Sequence, residues 1–389
     1  MSKSIEKSLL LTLGALAAFG PMTIDLYLPA FLEIGKDLSV PTSDVQYSLT
    51  SFLAGLSVGQ LIYGPISDKY GRKKPLLTGI VIFILTSVLI SYAKNLESLI
   101  VLRFIQALGS CVGMVITRAI IRDMFEPREA AKVFSLVILI MGAAPIVAPL
   151  LGTQILLLSN WRMIFIFLAL FGFFTFLGSF FKVPETLKKS IPIKTGFFNY
   201  FHLLKDKQFM IATLVCGTIS AGMFSYIAGS AFVFLNIFKV SATTYPILFG
   251  SNALAFIICS QINARLLNTH TIDAILSKAV VAAFVAAACT SLSIFFKLEL
   301  PYFMISLICT IGSIGFIMPN ITAKALEFQH ERAAVASAMM GSIQFCISSL
   351  GSVLVTVFSN GTAYPMVITI LIFNLLTFLL YYIGIKRKV

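Results

Sequence analysis

The chain has 389 residues, of which 58% are apolar and only 12% carry a charge, and its mean hydropathy is +0.96. Soluble domains use roughly 45–50% apolar residues, so this composition excludes a soluble globular protein and predicts a polytopic membrane protein. The net charge of +13 would by itself suggest a nucleic-acid partner. The positions of the basic residues instead predict a membrane orientation.

The basic residues are divided unequally between the two sides of the predicted membrane. One side receives only Lys36, Lys94, Arg162, Lys239 and Lys297, and nearly all the others fall on the opposite side. Cytoplasmic loops of membrane proteins carry an excess of Lys and Arg. We therefore predict that both termini are cytoplasmic, as are the segments around Lys188–Lys194 and Lys386–Lys388.

Apolar runs long enough to cross a bilayer as helices, ~20 residues each, follow one another along the whole chain. They lie at about 9–32, 45–66, 76–93, 98–121, 133–157, 161–182, 209–236, 243–264, 274–296, 301–324, 334–358 and 363–384. This pattern predicts an all-α membrane protein with about twelve transmembrane helices. A polar, Lys-rich linker at 183–208 separates an N-terminal six-helix bundle (1–182) from a C-terminal one (209–389), as expected for two parallel bundles that share a midplane site.

The first apolar run contains an acidic residue, Asp25, between the predicted interruptions at Gly20-Pro21 and Pro29. The other acidic residues fall in predicted loops or at helix ends. A carboxylate inside a membrane span is costly and usually faces a protein interior or a water-filled cavity on a transport path. The alternative is a residue that stabilises a kink by hydrogen bonding to a neighbouring helix.

Two basic residues fall inside the fourth apolar run. Counting 1.5 Å per residue, Arg103 comes to a depth similar to that of Asp25, so the two charges could form a pair or share a water cavity. Gln106, one turn away, can add a neutral hydrogen bond. A purely structural ion pair is the alternative. Arg118 lies nearer the cytoplasmic side and could simply snorkel to the inner surface.

Several other polar residues lie within apolar runs, namely Tyr27, Tyr226, Asn236, Asn252, Asn320 and Gln344. Such side chains commonly pack or form hydrogen bonds between membrane helices. As a set they would also suit a cavity that recognises bulky amphipathic molecules through aromatic walls and a few polar groups.

The predicted cytoplasmic loop Gly64–Pro75 has the sequence GPISDKYGRKKP. Gly64 and Gly71 allow tight turns and close approach of the backbone, and Asp68 and Arg72 have the i, i+4 spacing of facing charges. We hypothesise a cytoplasmic gate in which Arg72 pairs with Asp123, while Asp68 caps or contacts a helix of the other half in the outward-open state. A plain basic loop is the alternative. The matching segment of the second half, 261–265, is predicted to be a loop without the acid.

The fifth apolar run contains Gly142, Pro145, Pro149 and Gly152. Proline removes a backbone hydrogen bond and bends a helix, while glycine permits neighbouring membrane helices to approach closely. The spacing therefore predicts a bent, tightly packed helix, and ordinary kinking would be sufficient to explain it.

The loop Gly64–Pro75 resembles the signature between the second and third helices of the major facilitator superfamily. Residues 25–29 resemble the signature of drug–proton antiporters, residues 102–109 the proton-coupling motif, and residues 142–152 the antiporter motif. Together with residues 118–123, 260–265 and 319–320, they resemble the family of bicyclomycin- and chloramphenicol-resistance exporters (Bcr/CflA).

This resemblance implies a monomeric exporter of the bacterial inner membrane that moves amphipathic small molecules by alternating access. It implies a proton gradient as the energy source and no cofactor, with Asp25 and Arg103 in proton coupling and the fifth helix restricting proton leakage. Its partners would be the lipid bilayer, protons and the substrate, and not nucleic acid. The alternatives are proton-coupled uptake of a siderophore or metabolite, and a membrane sensor or assembly protein that transports nothing.

The soluble segments of the sequence show no nucleophile–base set, metal cluster or phosphate-binding loop. The cysteines lie within apolar runs, and neither they nor the histidines have the spacing of metal ligands. The sequence therefore predicts that the protein is not an enzyme and binds no metal.

Overall fold

A computed structural model describes residues 7–187, 200–327 and 333–385. Within these ranges the regular structure is entirely helical, and twelve helices are long and apolar enough to cross a membrane. A backbone in lipid must satisfy its polar groups internally, which a helix does. The predicted fold class is thereby confirmed. The segments around Lys188–Lys194 and Lys386–Lys388 lie outside the described residues, and the division into two bundles stays a prediction.

We number the membrane helices α1 to α12. The first has two parts, α1a (Lys7–Asp25) and α1b (Phe31–Asp37), joined through a short 3-10 turn at Leu28–Ala30. The others are α2 (Thr42–Tyr70), α3 (Lys73–Ser91), α4 (Leu96–Met124), α5 (Pro127–Leu158), α6 (Trp161–Lys182), α7 (Lys207–Phe232), α8 (Tyr245–Leu266), α9 (Ile272–Phe295), α10 (Leu300–Leu326), α11 (Ala333–Val357) and α12 (Tyr364–Leu379). Helices α7 and α12 continue as π-helical turns at Val233–Ile237 and Leu380–Ile385.

Side chains at the helix starts explain several of these boundaries. Asn95, Asn160, Asp206 and Thr271 accept hydrogen bonds from backbone N–H groups in the first turns of α4, α6, α7 and α9. Such N-caps satisfy donors that have no partner within the helix. The polar residues at these positions therefore stop one helix from running into the next.

Two local predictions were wrong. The first helix is not interrupted at Gly20-Pro21, because Pro21 lies inside α1a and the break follows Asp25. The segment 261–265 is not a loop, because α8 continues to Leu266. Membrane helices tolerate proline, since neighbouring helices and small local adjustments satisfy the freed carbonyl. A polar sequence such as 261–265 can remain helical beyond the apolar run.

We call the end of the helices that carries the α2–α3 connection the inner end, and the opposite end the outer end. At the outer end, Trp161 is fully buried, and its Nε1 donates to Asp37 Oδ2 at 3.2 Å. Arg162 forms an ion pair with the same Asp37 at 2.7 Å, and Glu33 accepts from the Trp161 backbone N–H. These bonds fasten α1b to the start of α6.

Helix α2 of the first half packs along α11 of the second, and α5 packs along α8. In the α2–α11 contact, Thr356 Oγ1 donates to Gln46 Oε1 (3.1 Å) near the outer end, and Thr50 Oγ1 donates to Ser352 Oγ (2.7 Å). Further inward, Ser57 Oγ donates to the carbonyl oxygen of Ser342 at 2.8 Å. Hydroxyl hydrogen bonds therefore join the halves over much of the α2–α11 contact.

Candidate functional site

Asp25 lies where α1a ends, and it is 4% exposed. Among the described residues its carboxylate has no hydrogen-bond or ion-pair partner. Four residues after Asp25, Pro29 lines a small cavity together with Thr153 of α5 and Tyr245 of α8. The break in the first helix thus places a buried, unpartnered carboxylate close to the second half of the chain.

Arg103 of α4 is completely buried. Its Nη1 donates to Gln106 Oε1 at 2.7 Å and to the carbonyl oxygen of Thr23 at 3.3 Å. The guanidinium carbon lies 4.2 Å from the ring centroid of Tyr27 and 4.3 Å from that of Phe52. Cation–π contacts of this kind are worth more where the groups are desolvated, so the aromatic rings take the place of an anionic partner.

The suggested Asp25–Arg103 pair is absent from the described residues, where no ion pair joins the two charges within 4.0 Å. The reason is rotation about the helix axis. At 3.6 residues per turn, Asp25 lies about 200° around α1 from Thr23, whose carbonyl accepts from Arg103. Similar depth in the membrane does not bring the two side chains to the same face. Arg103 instead holds the backbone just before Asp25.

Near Asp25, the second half presents an aromatic and polar cluster. The rings of Tyr226 and Phe249 are stacked with centroids 5.4 Å apart, and Asn252 Nδ2 donates to the Tyr226 hydroxyl at 3.2 Å. Tyr245 and Ser230 share a hydrogen bond of 3.0 Å between their hydroxyls. The Oδ1 atom of Asn252 is buried and has no partner in the described part of the chain, so it can accept a hydrogen bond from a bound molecule.

The remaining polar candidates are separated by the structure. Tyr27 is buried and shares a 3.0 Å hydrogen bond with Ser48 Oγ. Asn320 Nδ2 donates to Asn263 Oδ1 (2.6 Å), which joins α10 to α8, and Asn236 is exposed in the π-helical turn after α7. These contacts identify Asn320 as a residue that joins helices and leave Asn236 outside the buried cluster.

Gln344 and Arg118 point into the contact region between helices. Gln344 Nε2 of α11 donates to Ser220 Oγ of α7 at 3.0 Å. Arg118 Nη1 of α4 lies 3.5 Å from Ser337 Oγ of α11. Arg118 is therefore an exposed side chain whose Nη1 reaches the other half.

At the inner end, Arg72 lies between two carboxylates. Its Nη1 is 2.5 Å from Asp68 Oδ1 and its Nε is 3.0 Å from Asp123 Oδ2. Burial lowers the pKa of Arg72, but the hydrogen bonds and charges of Asp68 and Asp123 raise it by more, so the pKa lies above its ordinary value. In this structure Asp68 pairs with Arg72. Gly64 faces Tyr200 and Ala338.

Glu185, just after α6, completes this cluster. Its carboxylate accepts from the backbone N–H groups of Arg72 (2.8 Å) and Lys73 (3.1 Å) at the start of α3. Partial burial raises the pKa of Glu185, but backbone hydrogen bonds from Arg72, Leu187 and Lys73 lower it by more, so the pKa lies below its ordinary value. Sequence reasoning missed this contact. The one sequence signal for this contact was an acidic residue directly after an apolar run, on the same side of the membrane as the α2–α3 loop.

Helix α5 continues through Pro145 and Pro149. A Cβ on Gly152 would overlap the carbonyl oxygen of Leu26, next to Asp25, whereas a Cβ on Gly142 would meet only the side chain of Ile257 in α8 at 3.4 Å. The two glycines therefore have different surroundings. Gly152 lies against the break in the first helix, and Gly142 faces the second half.

A family model described as the Major Facilitator Superfamily matches residues 11–356. The chain belongs to the Major Facilitator Superfamily. It is therefore a membrane transporter and not an enzyme.

Its relatives confirm the resemblance to drug–proton antiporters. The transporter is 41% identical to the MFS-type transporter YdgK of Bacillus subtilis, over 91% of this chain and 89% of that one. It is 30% identical to a bicyclomycin resistance protein homologue of Haemophilus influenzae, over 97% and 96% of the two chains. It is 29% identical to the multidrug resistance protein MdtL of Shigella flexneri, over 92% and 90%.

Solved structures show the same fold at low identity. The xylose transporter XylE from E. coli, in a partially occluded inward-open conformation, superposes with a TM-score of 0.75 at 11% identity over 97% of both chains. An inward-facing, occupied bacterial homologue of the human lysosomal transporter Spinster superposes with a TM-score of 0.76 at 14% identity, over 100% of this chain and 98% of that one.

Proposed function

We propose that this transporter exports amphipathic small molecules across the bacterial inner membrane by alternating access, in exchange for protons. The names of its relatives, which include bicyclomycin and multidrug resistance proteins, support a drug-like substrate class. The observation that carries the proton-coupling part is the unpartnered carboxylate of Asp25 at the break in the first helix.

An ionised carboxylate without a partner in apolar surroundings is costly, and protonation removes that cost. A conformational change that opens Asp25 to water on one side would change its affinity for a proton. By linkage, the bound proton must then bias the conformational equilibrium in return. Tyr245, which lines a cavity with Pro29 just after Asp25, and Tyr226 belong to the half that moves relative to Asp25. Arg103 would act as a positioning residue through the Thr23 carbonyl.

The substrate would lie against the cluster of Tyr226, Phe249 and Asn252. Stacked aromatic rings offer apolar surface to many ligand shapes, and the unpartnered Asn252 Oδ1 offers one acceptor. The prolines of α5 and the close approach of Gly152 to Leu26 support a second role, in which this helix restricts proton leakage between the halves.

We further propose a monomer with both termini in the cytoplasm, two bundles joined by the linker at 183–208, and no cofactor besides the proton gradient. The asymmetric distribution of basic residues supports the orientation. Reporter fusions within 188–194 and at the C-terminus should be active with a cytoplasmic reporter. Activity with a periplasmic reporter would overturn it.

The central test is Asp25→Asn, which mimics the protonated carboxylate. We expect substrate affinity to change by less than about tenfold, which is ~1.4 kcal/mol, while accumulation against a gradient is lost. The measurements are substrate-induced proton release from purified protein and proton-driven uptake into inverted membrane vesicles. Asp44→Asn, the same change at a partly buried position near the outer end, is the control.

Two results would contradict the proposal. If Asp25→Asn releases protons like the unaltered protein and still concentrates substrate, the coupling site lies elsewhere. If the unaltered protein moves substrate only in the opposite direction, with protons and not against them, it is an uptake system.

A further inference from the structure

A small cavity lies between the two halves near the outer end. The first half contributes Pro29, after the break in the first helix, and Thr153 in the last turns of α5. The second half contributes Leu235, just after α7, and Tyr245, the first residue of α8. The volume of the cavity is about 90 Å³, several times the ~10–15 Å³ that one water molecule needs. A group larger than water can therefore lie here in contact with both halves.

The wall of the cavity is mostly apolar and contains one hydroxyl that lacks a partner. Thr153 is 4% exposed, and its Oγ1 has no hydrogen-bond partner in the described part of the chain. A helical threonine commonly donates to a carbonyl of its own helix, as Thr175 of α6 does. A buried hydroxyl without a partner costs free energy. A bound molecule with one hydrogen-bonding group beside Thr153 would remove that cost.

The cavity shares an aromatic wall with the candidate substrate cluster. The ring centroid of Tyr245 lies 6.0 Å from that of Phe249, which in turn stacks on Tyr226 at 5.4 Å. The hydroxyl of Tyr245 is already hydrogen-bonded to Ser230. Thr153 is therefore the side chain that offers a free hydroxyl to a molecule extending outward from this cluster.

We propose that the cavity is an outer subsite of the substrate site. It takes the apolar end of a substrate that carries one hydrogen-bonding oxygen, and Thr153 selects for that oxygen. This inference rests on the proposed export function and specifies its substrate class. Binding pockets of this kind combine apolar walls with a few polar groups that fix the orientation of the ligand.

The test uses two probes of the same ring, para-trifluoromethylbenzyl alcohol and para-trifluoromethyltoluene, which differ by one hydroxyl. Equilibrium binding to the full-length protein in phosphatidylcholine nanodiscs is measured by fluorine NMR, with empty nanodiscs as the reference for partitioning into lipid. We expect the alcohol to bind more tightly than the toluene. Thr153→Val, which keeps the shape of the side chain, should weaken binding of the alcohol about fivefold and that of the toluene by less than about twofold.

Two further variants of threonine keep the result interpretable. Thr153→Ser retains the hydroxyl and should retain the preference for the alcohol. Thr213→Val in α7 is the matched control, because the hydroxyl of Thr213 is also buried and unpartnered but does not line the cavity. It should leave binding of both probes unchanged.

A longer probe tests whether the cavity belongs to the substrate site. The two-ring para-benzyloxybenzyl alcohol can reach from the cavity to the aromatic cluster. Its binding should be weakened by Thr153→Val and also by Phe249→Ala.

Three results would overturn the assignment. In the first, Thr153→Val leaves binding of the alcohol unchanged or weakens both single-ring probes equally. In the second, Phe249→Ala leaves the two-ring probe unaffected, which would separate the cavity from the substrate site. In the third, nanodiscs with protein take up no more alcohol than empty ones, which would show that lipid or water occupies the cavity. Because binding is measured without a gradient, a failure of proton-driven export would refute the proposed function and leave this result standing.

Discussion

At the scale of single residues, Gly71 shows how one backbone angle organises the inner-end cluster. Its φ of +92° lies in a region that residues with a Cβ rarely adopt. A Cβ on Gly71 would also collide with the carboxylate of Glu185. The glycine therefore turns the chain so that Glu185 can accept from the N–H groups of Arg72 and Lys73.

Gly71→Ala should therefore be destabilising for two reasons, backbone strain of ~1–3 kcal/mol and the collision with Glu185. The matched control is Gly361→Ala, because Gly361 has a φ of +77° but nothing within 4 Å of the added Cβ. We expect a larger decrease in thermal unfolding temperature for Gly71→Ala than for Gly361→Ala.

The collision can be tested separately with Glu185→Ala. In the double variant Gly71→Ala/Glu185→Ala, the observed loss of stability should be smaller than the sum of the losses of the two single variants. Neighbouring changes that share a contact are not additive. Equal effects of the two glycine variants, or full additivity, would show that the strain alone matters.

At the scale of helices, the contact between α5 and the broken first helix positions Asp25. The carbonyl of Leu26 follows the last residue of α1a, and Gly152 leaves room for it. Backbone atoms cannot rotate away as side chains can. The approach of α5 to this break therefore depends on the absence of a Cβ at residue 152.

Gly152→Ala should force α5 and α1 apart. Overpacking typically costs 1–3 kcal/mol, and a rigid backbone partner favours the upper end of that range. Gly142→Ala is the control in the same helix, since its Cβ would meet only a side chain at 3.4 Å. We expect lower yield and a clear drop in unfolding temperature for Gly152→Ala, and a change within about 1 kcal/mol for Gly142→Ala. Equal tolerance of both changes would contradict the close packing.

At the scale of the whole molecule, the two halves are joined by weak and exchangeable contacts. Hydroxyl and amide groups link α2 to α11, and each such bond contributes only ~0.5–1.5 kcal/mol net. Alternating access requires that one set of contacts between the halves opens while another forms. Uncharged hydrogen bonds can be exchanged with water at low cost, which suits a moving interface.

The ion cluster of Asp68, Arg72 and Asp123 should act on the equilibrium between inward-open and outward-open conformations. Arg72 is buried between the two carboxylates, so Asp68→Asn, which keeps a hydrogen-bond acceptor for Arg72, should express normally but transport poorly. Arg72→Ala leaves two carboxylates without their shared cation, so it should transport poorly and also lower the unfolding temperature. Spin labels across the outer end would report the altered distribution of conformations. Lys74→Ala, an exposed neighbour, is the control. Normal transport by both variants would exclude a gating role.

The sequence by itself determined the membrane class, the twelve helices and the isolation of Asp25 within an apolar run. The physical reason is that a bilayer imposes length and polarity on each helix separately, so these properties are local in the chain. The spacing of Asp68 and Arg72 was equally local, and the structure pairs those two residues.

Only the tertiary structure decided which side chains meet. Depth in the membrane follows from counting residues, but contact also depends on how each helix is rotated about its axis, and that depends on the packing of all its neighbours. For this reason Arg103 lies among aromatic rings and not beside Asp25, Asn320 bonds to Asn263, and Arg118 reaches Ser337 of the opposite half. Glu185 is far from α3 in the sequence, but it lies just after α6, whose end is next to the start of α3.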